Sequence, residues 1–475
     1  MKNVFKLNLF LMAAVALSLV FMLSGVKAAA DEGSFEIQRS DFKGLFNQVR
    51  VAQPEMVPWP GSFWPYRYSG TSVKVENGEY VVNGNSGRGH SPLETFDKIG
   101  GFTGASSANE WEKQNHTCDS IRDREEKDSC EGWWGHCNGW AGAAIKEDEP
   151  KRGFQVGATK LNTSDVKGIL SEVYLTSDSL FAGDTDKSTK TADGLKDGWI
   201  DRPNSSKYQS FWDVSPRTMF LILTNYVGLS KMGVVIDRFT GDQVWNHPVV
   251  GYRLLPIEGS KIKVQTRGGE KVWAVPMAIK LYWAYDGVNP GVISSGFNVE
   301  SDTKDTRAVE HSLPTTTNGE TAYEVRLLEF TLFFDSEVTV SADGKKVLTS
   351  GRFAGDGIWK MQENPRSYSA GQLDDGHPDF FWLPLNPTLD TSGSYGNPYM
   401  VKRVVTAIAR ANKAANGGGG SGGGGNNGGG NNGGGNGGGN GGGNNGGGTS
   451  TALVSYSVVL APDRLIAYAT SIPRV

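Results

Sequence analysis

Apolar positions fall into two regimes along this chain. In the first, Thr163-Ser164-Asp165 precedes Val166, Ile169, Leu170 and Val173, the i, i+3, i+4, i+7 spacing of a capped amphipathic helix. The run Trp140-Ala141-Gly142-Ala143-Ala144-Ile145 is small and apolar and suits a buried helix that begins near Cys137, and another helix is predicted through Pro216 to Val227. Ser91-Pro92 opens a mixed helical and loop stretch that runs to Glu112. From Val234 onward the pattern changes to strands: Val234 to Ile236, Val249 to Leu254, Lys261 to Thr266, Val275 to Tyr285, Tyr323 to Phe334 and Glu337 to Val340. Gly268-Gly269 and Ala342-Asp343-Gly344-Lys345 supply hairpin turns between them. Helices followed by an antiparallel sheet is an α+β layout.

Outside these regimes the pattern marks boundaries. Residues 31–55 are polar and weakly patterned, and Val57-Pro58-Trp59-Pro60-Gly61-Ser62-Phe63-Trp64-Pro65 cannot be helical, so it reads as an extended piece packed onto the body. Asn416 to Gly448 holds 23 of the 64 glycines and is interrupted only by Asn and one Ser, the composition of a disordered tether. Leu453 to Tyr468 alternates like a strand pair split at Pro462, either a terminal pair tethered to the body or a sorting tail. At the other end, Lys2 and Lys6, the apolar run Leu9 to Leu23 and Val26-Lys27-Ala28 have the layout of a secretory signal peptide, with a retained membrane anchor as the alternative. The resulting partition is 1–28 signal peptide, 29–56 N-terminal segment, 57–300 catalytic core, 301–415 β-rich continuation, 416–448 linker and 449–475 tail.

Charge and cysteine count sharpen this picture. Removing Lys2, Lys6 and Lys27 from the 47 basic residues leaves 44 against 51 acidic ones. That mild acidity argues against nucleic acid or an anionic membrane as partner, and no membrane span is expected in the mature chain. Three cysteines in an exported chain leave one over. Cys118 and Cys130 bracket a charged segment of a length that a disulfide closes readily, although Cys130 with Cys137 also satisfies the spacing. A metal site at the cysteines is disfavoured, since no second cysteine or histidine pair sits at ligand spacing.

With Cys118 paired to Cys130, Cys137 is the free thiol, in Trp133-Trp134-Gly135-His136-Cys137-Asn138-Gly139-Trp140-Ala141. At a helix start its pKa is expected to be lowered, and free amides there offer an oxyanion hole. Its base must come from six histidines: His90, His116, His136, His247, His311 and His377. His136 is adjacent to the cysteine and should diverge from it; His90 and His116 precede it without a strand pattern. His247 opens the strand His247-Pro248-Val249-Val250-Gly251-Tyr252 and is the expected base, with Asp286, at the end of the long strand, expected to fix its tautomer. His377 with Asp379 is a competing pair, and Trp140 and Trp245 are candidates to wall the site.

Three segments resemble the transglutaminase-elicitor family of plant-pathogenic oomycetes and their marine bacterial relatives. These are Trp59-Pro60-Gly61-Ser62-Phe63-Trp64-Pro65, Gly135-His136-Cys137-Asn138-Gly139-Trp140-Ala141 and Gly241-Asp242-Gln243-Val244-Trp245-Asn246-His247-Pro248-Val249. The last is similar to the family's host-perceived peptide Val-Trp-Asn-Gln-Pro-Val, with His247 where that peptide has Gln. The resemblance runs from Val57 to Met400. It implies a secreted transglutaminase with a papain-like core, calcium dependence, Cys137 as nucleophile, and protein glutamine and lysine side chains as substrates. For calcium, Asp184, Asp186, Asp193, Asp197 and Asp201 offer oxygen ligands, without the spacing of the twelve-residue calcium loop. A papain-like protease or deamidase uses the same residues, and a non-enzymatic surface adhesion module on a glycine tether is the reading from another class.

Overall fold

The computed structural model describes residues 33–82, 89–124, 129–183, 199–201, 214–237, 243–267, 269–308, 313–360, 377–387, 389, 395–417 and 455–456. Residues 1–28, expected to be a signal peptide, together with Asp184, Asp186, Asp193, Asp197, His311, the glycine tract beyond Gly417 and nearly all of the tail, lie outside the described residues. Among those described, no helix is long and apolar enough to cross a membrane.

Eight α-helices are described: α1 Phe42–Val49, α2 Pro92–Gly100, α3 Ala108–Asn115, α4 Cys118–Arg124, α5 Cys137–Lys146, α6 Thr163–Val173, α7 Pro216–Ile222 and α8 Lys402–Gly417. Local sequence explains most of their boundaries. Ser91 and Glu94 form a capping box with Pro92 in the first turn of α2, and Gly101 ends that helix at φ 73°. Helix α6 is capped by Asn162 together with Asp165, one residue earlier than the Thr163 start anticipated. Helix α7 passes at Leu223 into a π-helical segment, Leu223–Leu229.

Three helices fall where the sequence pattern predicts none: the short α4 in the charged segment after Cys118, α1 and α8. In α1, Asp41 caps the first turn and Phe42, Leu45, Phe46 and Val49 are buried, so eight residues with four apolar anchors suffice inside a polar stretch. In α8, the face formed by Val404, Ala407, Ile408, Ala411 and Ala415 is buried, but small alanines make that stripe inconspicuous in sequence.

The large sheet has ten strands: β1 Val51–Ala52, β2 Ser177–Gly183, β3 Trp199–Asp201, β4 Val235–Asp237, β5 Asn246–Leu254, β6 Lys263–Arg267, β7 Glu270–Ala284, β8 Tyr323–Phe334, β9 Ile358–Lys360 and β10 Phe380–Pro387. Its order is β2-β10-β4-β5-β7-β8-β9-β3, with β1 added beside β5 and β6 beside β7, and every pairing is antiparallel. Mixed helix and antiparallel sheet is therefore the observed class. Arg267 pairs with Glu270 across the anticipated Gly268-Gly269 turn, where Gly269 has φ 87°. Strands β7 and β8 pair continuously from Trp273–Phe334 to Ala284–Tyr323, so residues on either side of position 300 share one sheet. All nine residues of β5 are buried, which is why this strand reads as an apolar run with little alternation.

Helix α5 lies between α6 and the sheet and touches β5 and β10. Its small residues make that position possible: a Cβ on Gly139 would collide with the Ser171 carbonyl of α6, and Gly142 lies against Tyr174 and Trp382. The 57–65 segment contains no helix, as expected, but turns at Trp64, where φ is 48°, and it bridges the helix start to the end of β7. Phe63 N–H donates to the Asp286 carbonyl at 3.2 Å, and its carbonyl accepts from His136 N–H at 2.6 Å. Lys167 of α6 holds the segment from below, with Nζ 3.0 Å from the Pro60 carbonyl, 3.0 Å from Glu149 Oε1 and 2.8 Å from the Val292 carbonyl.

Candidate active site

Cys137 is the first residue of α5, and His136 is its N-cap with φ −91° and ψ 38°. The disulfide joins Cys118 to Cys130 with Cα atoms 5.3 Å apart, and Cys137 is free, so the alternative pairing is excluded. The thiol is 6% exposed. Burial pushes it up to about 11, and the negative charges of Asp286 and Asp237 add to the rise, while hydrogen bonds from Asn246 oppose it. The helix-start position alone predicts a lowered value; desolvation overrides it in this closed state.

The side chain that reaches the sulfur is Asn246, at the start of β5: its Nδ2 donates to Cys137 Sγ at 3.3 Å. The orientation of this amide is set from the other side, because Trp382 Nε1 of β10 donates to Asn246 Oδ1 at 2.7 Å and leaves only the NH2 group to face the cysteine. The thiol itself approaches the Val244 carbonyl at 3.7 Å. Cross-strand register places Asp237 opposite Asn246 and Ile236 opposite His247. Asp237 Oδ1 in turn accepts from Trp245 N–H at 2.9 Å and holds the Val244-Trp245-Asn246 backbone against the helix start.

His247 and Asp286 are both buried at this corner of the molecule. The His247 ring turns to the end of β7: Nδ1 is 3.3 Å from the Ala284 carbonyl, and the ring centroid is 6.0 Å from that of Trp283. A carbonyl accepts only from a protonated nitrogen, so this contact selects the tautomer with its lone pair on Nε2. Asp286, the residue expected to fix this tautomer, follows Ala284 by two residues and is buried. Asp286 acts on the thiol as a nearby negative charge and on the 57–65 segment through its carbonyl.

The remaining histidines occupy other places. The His377 ring is buried and stacks on Trp359 at 4.2 Å and 14°, and Asp379 N–H donates to the Asp237 carbonyl at 3.0 Å as β10 begins. His90 pairs with Asp165 at 3.0 Å. His136 diverges from Cys137, as its sequence position requires, and points Nε2 at Glu112 Oε1, 2.7 Å away. Of the aromatic walls anticipated, Trp140 is fully buried core, whereas Trp245 packs edge-on against Phe63 at 5.5 Å.

The segment that contains the cysteine, its asparagine partner and the 57–65 ribbon corresponds to a known family. Residues 35–270 match the family described as Transglutaminase elicitor. Through this region the chain belongs to the transglutaminase elicitor family. No curated protein matches the chain. Among solved structures it is similar to the GP42 transglutaminase from Phytophthora sojae, with 17% identity, 79% of this chain and 94% of that chain covered, and a TM-score of 0.48.

Two parts of this elicitor-family region escaped sequence reasoning. Asn246 stands beside His247, to which strand spacing points first, and its one signal in sequence is its place in Val244-Trp245-Asn246-His247-Pro248. The second is a group of four fully buried side chains behind the helix start, Glu112, His116, His136 and Glu172. Glu112 and His116 share one face of α3 at i, i+4, a pairing visible in sequence, but Glu172 arrives from α6 and only the packing brings it near.

Proposed function

We propose that this protein is a protein-glutamine γ-glutamyltransferase with a papain-like catalytic core, acting on protein glutamine and lysine side chains. The observation that carries this reading is the free thiol of Cys137 at the start of α5, hydrogen-bonded by Asn246 inside the family-matched region. In the first half-reaction, the thiol proton passes to His247 Nε2 and the thiolate attacks the glutamine carboxamide carbon. The C–N bond breaks, the imidazolium returns a proton to the leaving nitrogen, and ammonia departs from a thioester. In the second, a lysine amine attacks the thioester and gives up its proton to the imidazole. The isopeptide bond forms and the thiol is regenerated. The unpaired amides at the α5 N-terminus would hold the oxyanion, and the Asn246 amide would stabilise the thiolate. Phe63 and Trp245, ring against ring in the two segments that flank the helix start, would slow the competing hydrolysis by excluding water.

Calcium enters this reading only through family resemblance. Asp184, Asp186, Asp193 and Asp197 lie outside the described residues, and the group that does gather, Glu112, His116, His136 and Glu172, contains two imidazoles that a hard oxygen-seeking cation disfavours. No step is routed through calcium.

Incubation with casein and a fluorescent primary amine tests the proposal. Incorporation of label is expected, falling by at least about a thousandfold in Cys137→Ala. Cleavage or ammonia release without label would make the enzyme a protease or deamidase. An inert thiol with no turnover would support the adhesion reading. His247→Gln is expected to lower incorporation by about a hundredfold or more if this ring carries the proton; an unaffected rate would transfer that role to Asp286 or to the His377–Asp379 pair.

A further inference from the structure

The group behind the helix start has the composition of a metal site. The ligand atoms of Glu112, His116, His136 and Glu172 lie within 4.8 Å of one another. His116 Nδ1 is 2.6 Å from Glu112 Oε2, His136 Nε2 is 2.7 Å from Glu112 Oε1, and His136 Nε2 is 3.7 Å from Glu172 Oε2. Around a tetrahedral ion with bonds of about 2.0–2.1 Å, neighbouring ligand atoms stand roughly 3.3–3.4 Å apart, so side-chain shifts of well under about 1 Å would seat one. No sequence spacing announces this set, because it joins one helix face, the cap of a second helix and the interior of a third.

Three observations point to a cation. The first is the donor set: two carboxylates and two imidazoles, all sealed from solvent, each bring a ligand atom to one spot. The second is an orphaned acceptor. Glu172 Oε2 receives Thr71 Oγ1 at 2.7 Å, but Glu172 Oε1 is buried with no hydrogen-bond partner. The third is the enclosure. Gly70 (φ 55°) closes over the group so tightly that a Cβ there would strike Glu112 Oε1 and stand 2.8 Å from His136 Nε2. Thr71 N–H orients Glu112 Oε1 at 3.1 Å, and the Tyr66 ring stacks on His116 at 5.3 Å. Two nitrogens and two oxygens in a closed, dry, four-sided cage suit zinc among the divalent transition metals.

We propose that Glu112, His116, His136 and Glu172 bind one divalent transition-metal ion, zinc in the first instance, as a structural centre that ties the start of the nucleophile's helix to α3 and α6. The ion would fix His136, whose next residue is Cys137, and the Cys118–Cys130 disulfide would constrain the connection between the two histidine ligands. Its role is positional, since the ligand side chains turn away from the sulfur.

The test uses the full secreted chain produced with zinc in the medium, analysed by elemental mass spectrometry, X-ray absorption and thermal unfolding. The expected result is about one zinc per chain in a shell of about four nitrogen or oxygen atoms near 2.0 Å, with the unfolding temperature lowered by a chelator and restored by zinc alone. Glu172→Gln, close to isosteric, is expected to weaken zinc retention by about tenfold or more, and His90→Ala, outside the group, to leave it unchanged. Should Glu172→Gln fail to fold, the absorption spectrum of the unaltered protein decides alone. Folded protein holding less than about a tenth of an ion per chain, with unfolding indifferent to zinc and chelator, would overturn the proposal and leave a hydrogen-bonded ion cluster. A sulfur atom in the zinc shell would overturn it as well, because it would put the ion at Cys137.

Discussion

His136 and Cys137 are joined by one peptide bond, both are buried, and burial has opposite consequences for them. On the His136 side, charge is met by charge. Burial alone would raise the Glu112 carboxyl, yet the imidazoles of His116 and His136 hold it down to about 2. On the Cys137 side burial dominates, the carboxylates of Asp286 and Asp237 add to it and only hydrogen bonds from Asn246 oppose it, so the thiol stays protonated up to about 11. The difference teaches that a helix N-terminus does not by itself make a reactive cysteine. Desolvation decides unless a cation or substrate enters.

The comparison is broken most severely by removing the hub of the charged half. Glu112→Gln leaves two imidazoles facing a neutral amide and should destabilise the fold by about 3–5 kcal/mol, read from denaturant unfolding, with far less effect expected from the solvent-exposed Glu110→Gln. Next comes the cover. Gly70→Ala forces a side chain into a left-handed backbone against Glu112 and should cost about 1–3 kcal/mol in the same measurement. An unchanged midpoint would show that the cluster yields to an added methyl group at Gly70.

The smallest effects lie on the thiol side. Iodoacetamide labelling of the native chain should accelerate with pH up to about 11. The thiol should also make folding stability fall as pH climbs from the unfolded cysteine value of about 8.5 toward that limit, because the unfolded state loses its proton first. Asn246→Ala removes the opposing hydrogen bond and should slow labelling at pH 9 by roughly two- to tenfold without altering the slope. Fast labelling at pH 7, indifferent to Asn246, would mean that the thiol is open in solution.

Much of this region was legible because its signals are local. The Ser91-Pro92 start, the α6 stripe, the Gly268-Gly269 turn and the small residues of α5 each act through neighbours in sequence. The helix α8 was not legible, because alanines pack closely without standing out as apolar, and α1 was hidden by polar residues on its open face. At the site, strand spacing drew attention to His247, whereas the cross-strand register and the Trp382 indole put its neighbour Asn246 against the sulfur.

By itself, then, the amino-acid sequence determined that one of three cysteines is spare, that a close-packed helix begins at Cys137, that His136 turns away from it, and that helices precede an antiparallel sheet. Those conclusions rest on parity, residue size and periodicity, which need no knowledge of distant partners. Only the tertiary structure decided what each buried polar group meets: Asn246 and Asp286 near the sulfur, and Glu112, His116 and Glu172 around His136. Such meetings are set by how α3, α5, α6 and the sheet pack, and the energy of a buried charge depends on those few neighbours far more than on its own place in the chain.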